Sequence, residues 1–142
     1  MTVAATESAE FLSPGMTPLR APGPIGGPGA WRGCELIARP QEWTYSLSSS
    51  EIEELDAAMR RTQALDFLAI DKGNFTLRTL APVLRDVRRE LLNGRGFVLI
   101  RGVPVENYDV EQAARIYWGI GAHLGTARSQ NAKGHLLGHV CD

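Results

Sequence analysis

Residues 94–142 read GRGFVLIRGVPVENYDVEQAARIYWGIGAHLGTARSQNAKGHLLGHVCD, and this stretch decides the fold. The apolar run FVLI at 97–100 predicts a strand that is covered on both faces and lies in the middle of a sheet. Leu136, Leu137 and Val140 predict a further short strand near residue 140. Between the two strands we expect a helix and a polar loop at 128–133.

The helix of this stretch has clear boundaries. Asp109 and Gln112 form a capping box, and Gly125 ends the helix. A phosphate-binding loop would place glycines at a helix start, but Gly119, Gly121 and Gly125 lie in its second half. We therefore attribute these glycines to close helix packing and to the helix end. The apolar positions expected to face the core are Val110, Ala113, Ala114, Tyr117, Trp118, Ile120 and Leu124.

Two more helices and another strand are predicted upstream. Residues 43–47 alternate between apolar and polar side chains, which indicates a half-buried strand. Ser48 and Glu51 form a capping box before a helix that places Ile52, Leu55 and Met59 on one face. A second helix should start at Thr79, with Pro82 in its first turn, and end at Asn93–Gly94. Its apolar stripe consists of Leu80, Val83, Leu84, Val87 and Leu91.

The first thirty residues differ in composition from the rest of the chain. The run SPGMTPLRAPGPIGGPGA at 13–30 holds five prolines and five glycines and few large apolar side chains. Such a segment buries too little apolar surface to offset the entropy of ordering. We expect residues 1–30 to form a flexible arm and residues 31–142 to form one domain.

The overall composition is that of an ordinary globular protein. The chain has 142 residues, 44% hydrophobic and 22% charged, with a formal net charge of -1. This balance offers no general attraction for nucleic acid or for an anionic membrane. No apolar segment is long enough to span a bilayer, and the N-terminus does not have the pattern of a secretory signal. We expect a cytoplasmic protein whose two cysteines, Cys34 and Cys141, are free thiols.

The three histidines do not have the spacing of a metal site. A non-haem iron triad combines two histidines with one carboxylate, often as His-x-Asp or His-x-Glu on one strand. No histidine of this chain has an acid two residues later. On a strand His135 and His139 would be about 13 Å apart, too far to share an ion. We predict a structural role for them and for Asp142, and a partly buried or capping role for His123.

Four segments together resemble the N-terminal half of the TauD/TfdA-like dioxygenases. They are GPGAWRG at 27–33, SSSEIEELDAAMRR at 48–61, GRGFVLIRGVPVENYDVEQAARIYWGIGAHLG at 94–125 and SQNAKGHLLGHVCD at 129–142. The resemblance implies an α+β fold, namely the N-terminal part of a double-stranded β-helix (jelly-roll, clavaminate synthase-like) fold with helices flanking an incomplete sheet. It also implies an Fe(II)- and 2-oxoglutarate-dependent oxygenase acting on a small organic substrate.

In that family a His-x-Asp/Glu pair and a distal His hold the iron, and an Arg near the C-terminus binds 2-oxoglutarate. None of these elements matches a residue here, so the resemblance assigns no catalytic, cofactor-binding or metal residue. We expect a fragment that is truncated before the metal-binding motif, is inactive alone and binds neither cofactor tightly. The loop 129–134 resembles a family segment near the active-site mouth, which makes Gln130 and Asn131 candidates for a pocket edge.

A solvated loop is the plainer interpretation of Gln130 and Asn131. For the whole chain, the alternative to an oxygenase fragment is a small non-catalytic α/β module that binds a partner through its arm and through Tyr117 and Trp118. The sequence does not indicate an oligomeric state.

Overall fold

The computed structural model describes residues 23–24, 26–129 and 131–138. These residues form an α+β arrangement in which four helices accompany one small sheet. Short 3-10 turns lie at Pro40–Glu42, Phe67–Ala69 and Val105–Asn107. The helices and strands, in chain order, are α1 (Gly33–Ile37), β1 (Thr44–Ser46), α2 (Ser49–Arg61), α3 (Leu80–Asn93), β2 (Leu99–Arg101) and α4 (Val110–Leu124).

The local signals of the sequence correctly predict the start of two helices. Ser48 caps α2 and Asp109 caps α4, and each forms the reciprocal capping box with the residue three positions later. The carboxylate of Glu51 also accepts a hydrogen bond of 2.6 Å from the Tyr45 hydroxyl. Burial alone would raise the pKa of Glu51, but the hydrogen bonds from Tyr45 and Ser48 outweigh it and lower that pKa. This link fixes the end of β1 to the start of α2.

The first turn of α3 is capped from another helix. Thr79 occupies the capping position but makes no side-chain hydrogen bond there. Instead the carboxylate of Glu54 on α2 accepts hydrogen bonds from the backbone N–H groups of Arg78, Thr79 and Leu80. A carboxylate is favoured at this position because the free N–H groups of a helix start carry partial positive charge. Glu54 therefore holds α2 and α3 together.

Replacing Glu54 by glutamine should lower the free energy of unfolding by about 1 kcal/mol near neutral pH. Burial alone would raise the pKa of Glu54, but the three backbone hydrogen bonds lower it. Its contribution is therefore fully present above its ordinary pKa of about 4.3 and is lost as the pH falls through the folded value. Urea unfolding at several pH values should show the two proteins converging in acid. The exposed Glu53 is the control, since Glu53→Gln should change stability little at any pH.

The sheet is smaller and more open than the sequence suggests. Its two strands are parallel, with Thr44 opposite Leu99, Tyr45 opposite Ile100 and Ser46 opposite Arg101. The predicted strand at 97–100 is displaced to Leu99–Arg101, and Leu99 is 43% exposed. The expectation that β2 is covered on both faces is thus wrong for the described residues. The expected strand at Leu136–Leu137 is also wrong, since these two residues lie in a bend, while Val140 lies outside the described residues.

The core lies where α2, α3 and α4 meet the loop between α2 and α3. Phe75 and Leu77 of that loop are buried together with apolar residues of the three helices. The apolar stripe predicted for α3 is correct except at Leu91, which is 37% exposed. The buried residues of this core cluster are Leu47, Leu55, Ala58, Met59, Ile70, Phe75, Leu77, Leu80, Leu84 and Ile116.

The apolar pattern predicts the core-facing side of α4 only in part, since Trp118, Ile120 and Leu124 pack against the core as expected. Val110 and Tyr117 are predicted to lie inside but are 71% and 69% exposed, whereas Ile116 and Gly119 are buried.

The glycines of α4 have different roles. A Cβ built on Gly119 would lie 2.4 Å from the Phe75 ring, so this glycine allows close packing, as predicted. Gly125 ends the helix, also as predicted. The packing role expected for Gly121 is wrong, because a Cβ there would meet nothing within 4 Å.

Aromatic side chains connect the segment before β1 to the start of β2. The Trp31 ring contacts the Phe97 ring edge-on at 5.1 Å, and the Trp43 ring lies 5.9 Å from it. The indole N–H groups of Trp31 and Trp43 donate to the carbonyls of Arg95 and Leu36. The packed part of the structure thus includes Trp31, while the division at residues 30 and 31 stays a prediction. Cys34 is an exposed free thiol, and Cys141 lies outside the described residues.

Candidate functional site

An apolar cavity of about 600 Å³ lies beside the start of α4. We call it the α4 cavity. Its walls come from three segments that are distant in sequence: the turn after α2, the first two turns of α4 and the loop that follows α4. The lining residues are Phe67, Leu68, Val110, Glu111, Ala114, Trp118, Gly134, His135, Leu136 and Leu137.

One wall of the α4 cavity is the 3-10 turn Phe67–Ala69. Asp66 starts this turn by accepting a hydrogen bond of 2.8 Å from the Leu68 N–H. The Trp118 indole N–H donates to the carbonyl of Ile70 at 3.1 Å and so ties α4 to the end of the turn. Because Leu68 is 68% exposed, this wall presents an apolar side chain toward the opening of the cavity.

Arg115 fixes the same wall from inside the protein. Its residue is only 5% exposed, and its guanidinium donates to the carbonyls of Thr62 and Leu65 at 2.9 and 2.8 Å. It also donates to the Glu111 carboxylate at 2.8 Å and lies over the Phe67 ring at 4.6 Å. A planar guanidinium with five donors can make all these contacts at once. Arg115 therefore positions the turn against α4.

The loop after α4 supplies the opposite wall, and Asn131 shapes it. The Asn131 side-chain oxygen accepts from the backbone N–H groups of Lys133 and His135 at 3.0 and 3.1 Å. The backbone carbonyl of Asn131 accepts hydrogen bonds from the Ser129 hydroxyl and the Gly134 N–H. These bonds bend the chain so that residues 134–137 meet α4. Asn131 thus precedes the lining residues of this loop and is not among them, and Gln130 lies outside the described residues.

The histidines occupy separate places. His123 is half-buried, as predicted, and its Nε2 lies 2.8 Å from the carbonyl oxygen of Phe75. His135 lines the α4 cavity, while His139 and Asp142 lie outside the described residues. Among residues 23–24, 26–129 and 131–138 no three histidine, cysteine or acidic side chains come together to hold a metal. The described donors therefore do not fit the two-histidine, one-carboxylate set of non-haem iron.

Sequence reasoning missed the residues that build the α4 cavity. Phe67 and Leu68 follow α2 without a recognisable motif, and Arg115 falls on the side of α4 opposite the predicted apolar positions. The only local signal for Arg115 was Glu111 one turn earlier, a spacing that favours an ion pair on a helix surface. Nothing in that spacing indicates that the arginine is buried.

Comparison with known proteins identifies the class. Residues 51–142 match the model of the taurine catabolism dioxygenase TauD, TfdA family. This match covers more than half of the chain, so the protein belongs to that family, as the sequence resemblance predicted. Members of the family are generally dependent on Fe(II) and 2-oxoglutarate. In the described part of the chain no helix has the length and apolar character needed to cross a bilayer.

Two curated relatives are similar along most of the chain. FR-33289 synthase of Streptomyces rubellomurinus is 30% identical over 121 residues, which are 84% of this chain and 35% of that protein. The taurine hydroxylase-like protein SAT17 of Stachybotrys chartarum is 25% identical over 116 residues, which are 80% of this chain and 30% of that protein. The chain thus spans about a third of the length of the curated relatives that it matches.

Proposed function

We propose that the chain is the N-terminal scaffold of a non-haem Fe(II)- and 2-oxoglutarate-dependent oxygenase that acts on a small organic substrate in the cytoplasm. The observation that carries this proposal is the family match over residues 51–142. Within the described residues the scaffold contributes helices, one pair of strands and the wall of an apolar cavity. The iron and 2-oxoglutarate ligands belong to parts of the family domain that have no counterpart among these residues.

The open sheet supports a jelly-roll core as the partner of this scaffold. Parallel strands are normally covered on both faces, and a sheet of two short strands is marginal by itself. Here each described strand pairs on one side only, and Leu99 leaves apolar surface exposed. Further strands of a double-stranded β-helix would pair with these edges and cover Leu99.

The chain alone should bind neither iron nor 2-oxoglutarate tightly. The physical reason is the donor set, which lacks two histidines and a carboxylate in one place among the described residues. Anaerobic calorimetric titration with Fe(II), with and without 2-oxoglutarate, measures this directly. Tight binding of one iron per chain would contradict the claim that the ligands lie elsewhere.

The oxygenase assignment itself has a separate test. A longer protein in which this chain is completed by the family's His-x-Asp or His-x-Glu pair, distal His and Arg should consume oxygen. It should convert 2-oxoglutarate to succinate only when Fe(II) is present. An extended protein that contains these residues, folds and shows no such turnover would overturn the proposal.

A non-catalytic binding module is the second candidate, and the exposure of Tyr117 favours it. This side chain is 69% exposed on α4, beside the half-buried Trp118. A binding module should be a monodisperse monomer with one cooperative thermal transition. A scaffold that needs a jelly-roll partner should instead bind a hydrophobic dye and aggregate on heating.

A further inference from the structure

A second cavity, separate from the α4 cavity, lies between α2 and the segment that leads into α4. It has a volume of about 440 Å³, within the range of about 300–1,000 Å³ that is usual for small-molecule sites. We call it the polar cavity, since side chains with charged, amide or hydroxyl groups form much of its lining. The lining residues are Ile52, Asp56, Met59, Arg60, Gln63, Pro104, Asn107, Tyr108 and Gln112.

The charges of the polar cavity balance. Asp56 and Arg60, one turn apart on α2, form an ion pair of 2.8 Å through the Asp56 Oδ2 atom. Burial and the neighbouring Asp56 carboxylate raise the pKa of Tyr108 to about 12, so its phenol stays neutral at physiological pH. Because these two side chains neutralise each other, the charged groups that line the cavity offer no net charge to a ligand. The cavity is therefore suited to a neutral ligand.

The lining of the polar cavity contains both hydrogen-bond donors and acceptors. Gln112 uses its side-chain oxygen to accept the Asp109 N–H at 3.1 Å, which leaves its amide N–H groups as donors. The Tyr108 phenol lies beside Asp56, yet the buried Oδ1 atom of that carboxylate has no hydrogen bond of regular geometry among the described residues. Gln63 and Asn107 add two amides that can both donate and accept. A hydroxyl group can also do both, so several hydroxyls on one ligand would match this lining.

We propose that the polar cavity binds a small, neutral, polyhydroxylated molecule of the polyol or sugar class. The hydroxyls would form hydrogen bonds with the side-chain amides of Gln63, Asn107 and Gln112, which line the cavity together with the Asp56–Arg60 pair. The C–H surface of the ligand would rest on Ile52, Met59 and Pro104. This site is separate from the α4 cavity, because the two linings have no residue in common.

The test is a titration of the 15N-labelled chain with myo-inositol, followed through the side-chain amide signals of Gln63, Asn107 and Gln112. Sodium acetate and methylammonium chloride at equal concentrations serve as charged probes. We expect saturable shifts with myo-inositol, and about tenfold weaker binding in the Gln63→Leu and Asn107→Leu variants. The control Gln41→Leu, which removes an exposed amide outside the cavity, should bind like the unmodified chain.

Three results would overturn the proposal. One is the absence of saturable shifts with myo-inositol in the unmodified chain, a result that needs no variant to fold. Another is tighter binding of acetate or methylammonium, which would show an ion site instead. The third is equal affinity in the Gln41→Leu, Gln63→Leu and Asn107→Leu variants.

Discussion

Replacing Gly119 by alanine is expected to destabilise the protein by about 3 kcal/mol, at the upper end of the cost of adding a methyl group to a packed core. The new Cβ would lie 2.4 Å from Cε1 of Phe75, a residue with no exposed surface. The ring has little freedom to move away. The backbone of Phe75 is held on both sides. Its N–H donates to the Asp71 carbonyl at 2.8 Å, and its carbonyl oxygen lies 2.8 Å from Nε2 of His123.

Gly121 provides a matched control on the same helix. A Cβ at this position would meet nothing within 4 Å. Gly121→Ala should therefore show only the gain in helix propensity, about 0.5 to 1 kcal/mol of added stability. Chemical denaturation of both variants measures the contrast, since the change in composition is identical. If the two substitutions shift the free energy of unfolding in the same direction, the Gly119–Phe75 contact does not limit packing.

A double variant tests the mechanism of the Gly119 effect. Phe75→Leu alone should destabilise the core by removing apolar volume. In the Gly119→Ala background the smaller leucine should leave room for the new methyl group. The combined loss should thus be smaller than the sum of the two single losses, and a double-mutant cycle on unfolding free energies measures this coupling. Strict additivity would mean that the destabilisation has another origin.

The features that the sequence predicts correctly are those determined within about four residues of chain. The capping boxes at Ser48 and Asp109 are examples, because the side chain and the backbone N–H that it accepts are three positions apart. The helix end at Gly94 is another. The family resemblance also depends on contiguous segments. Such signals locate helices and identify the class without knowledge of the tertiary structure.

The features that the sequence does not predict depend on partners far along the chain. Glu54 caps a helix that starts 26 residues later, which no capping motif at Thr79 indicates. The apolar run at 97–100 predicts a strand but not what covers it, and Leu99 remains exposed. On α4 the apolar residues extend around more of the helix than the core can cover. Ile116 packs in the core with Phe75 and residues of α2 and α3, whereas Tyr117 is exposed.

The same dependence on distant parts of the chain explains why the sequence does not predict the α4 cavity. Its three walls come from segments around residues 67, 110 and 135, which the fold brings together. The loop that contains Asn131 resembles a family segment, and in the structure the Asn131 side chain bends that loop. A role for Gln130 and Asn131 at a pocket edge stays a prediction. No local pattern predicts the role of Arg115, because its acceptors are 53 and 50 residues away in the sequence.

Replacing Arg115 by methionine is the second substitution with a large expected effect, a loss of about 2 to 3 kcal/mol in the free energy of unfolding. Methionine keeps much of the length and apolar volume of the side chain but donates no hydrogen bond. The carbonyl of Thr62, a residue only 1% exposed, would lose its guanidinium donor in a place where water does not replace it. The stacking of Arg115 on Phe67 would be lost as well.

The Glu111→Gln variant separates this effect from the loss of an ion pair. The Glu111 side chain is 64% exposed, so its pairing with Arg115 should contribute no more than about 0.5 kcal/mol. If Arg115→Met costs no more than Glu111→Gln, the carbonyl bonds contribute little and Arg115 does not position the turn. If it costs several times more, the backbone bonds to Thr62 and Leu65 hold the cavity wall. In that case, Phe67 and Leu68 should also show faster amide hydrogen exchange in Arg115→Met than in Glu111→Gln, because the turn that carries them has lost its anchor.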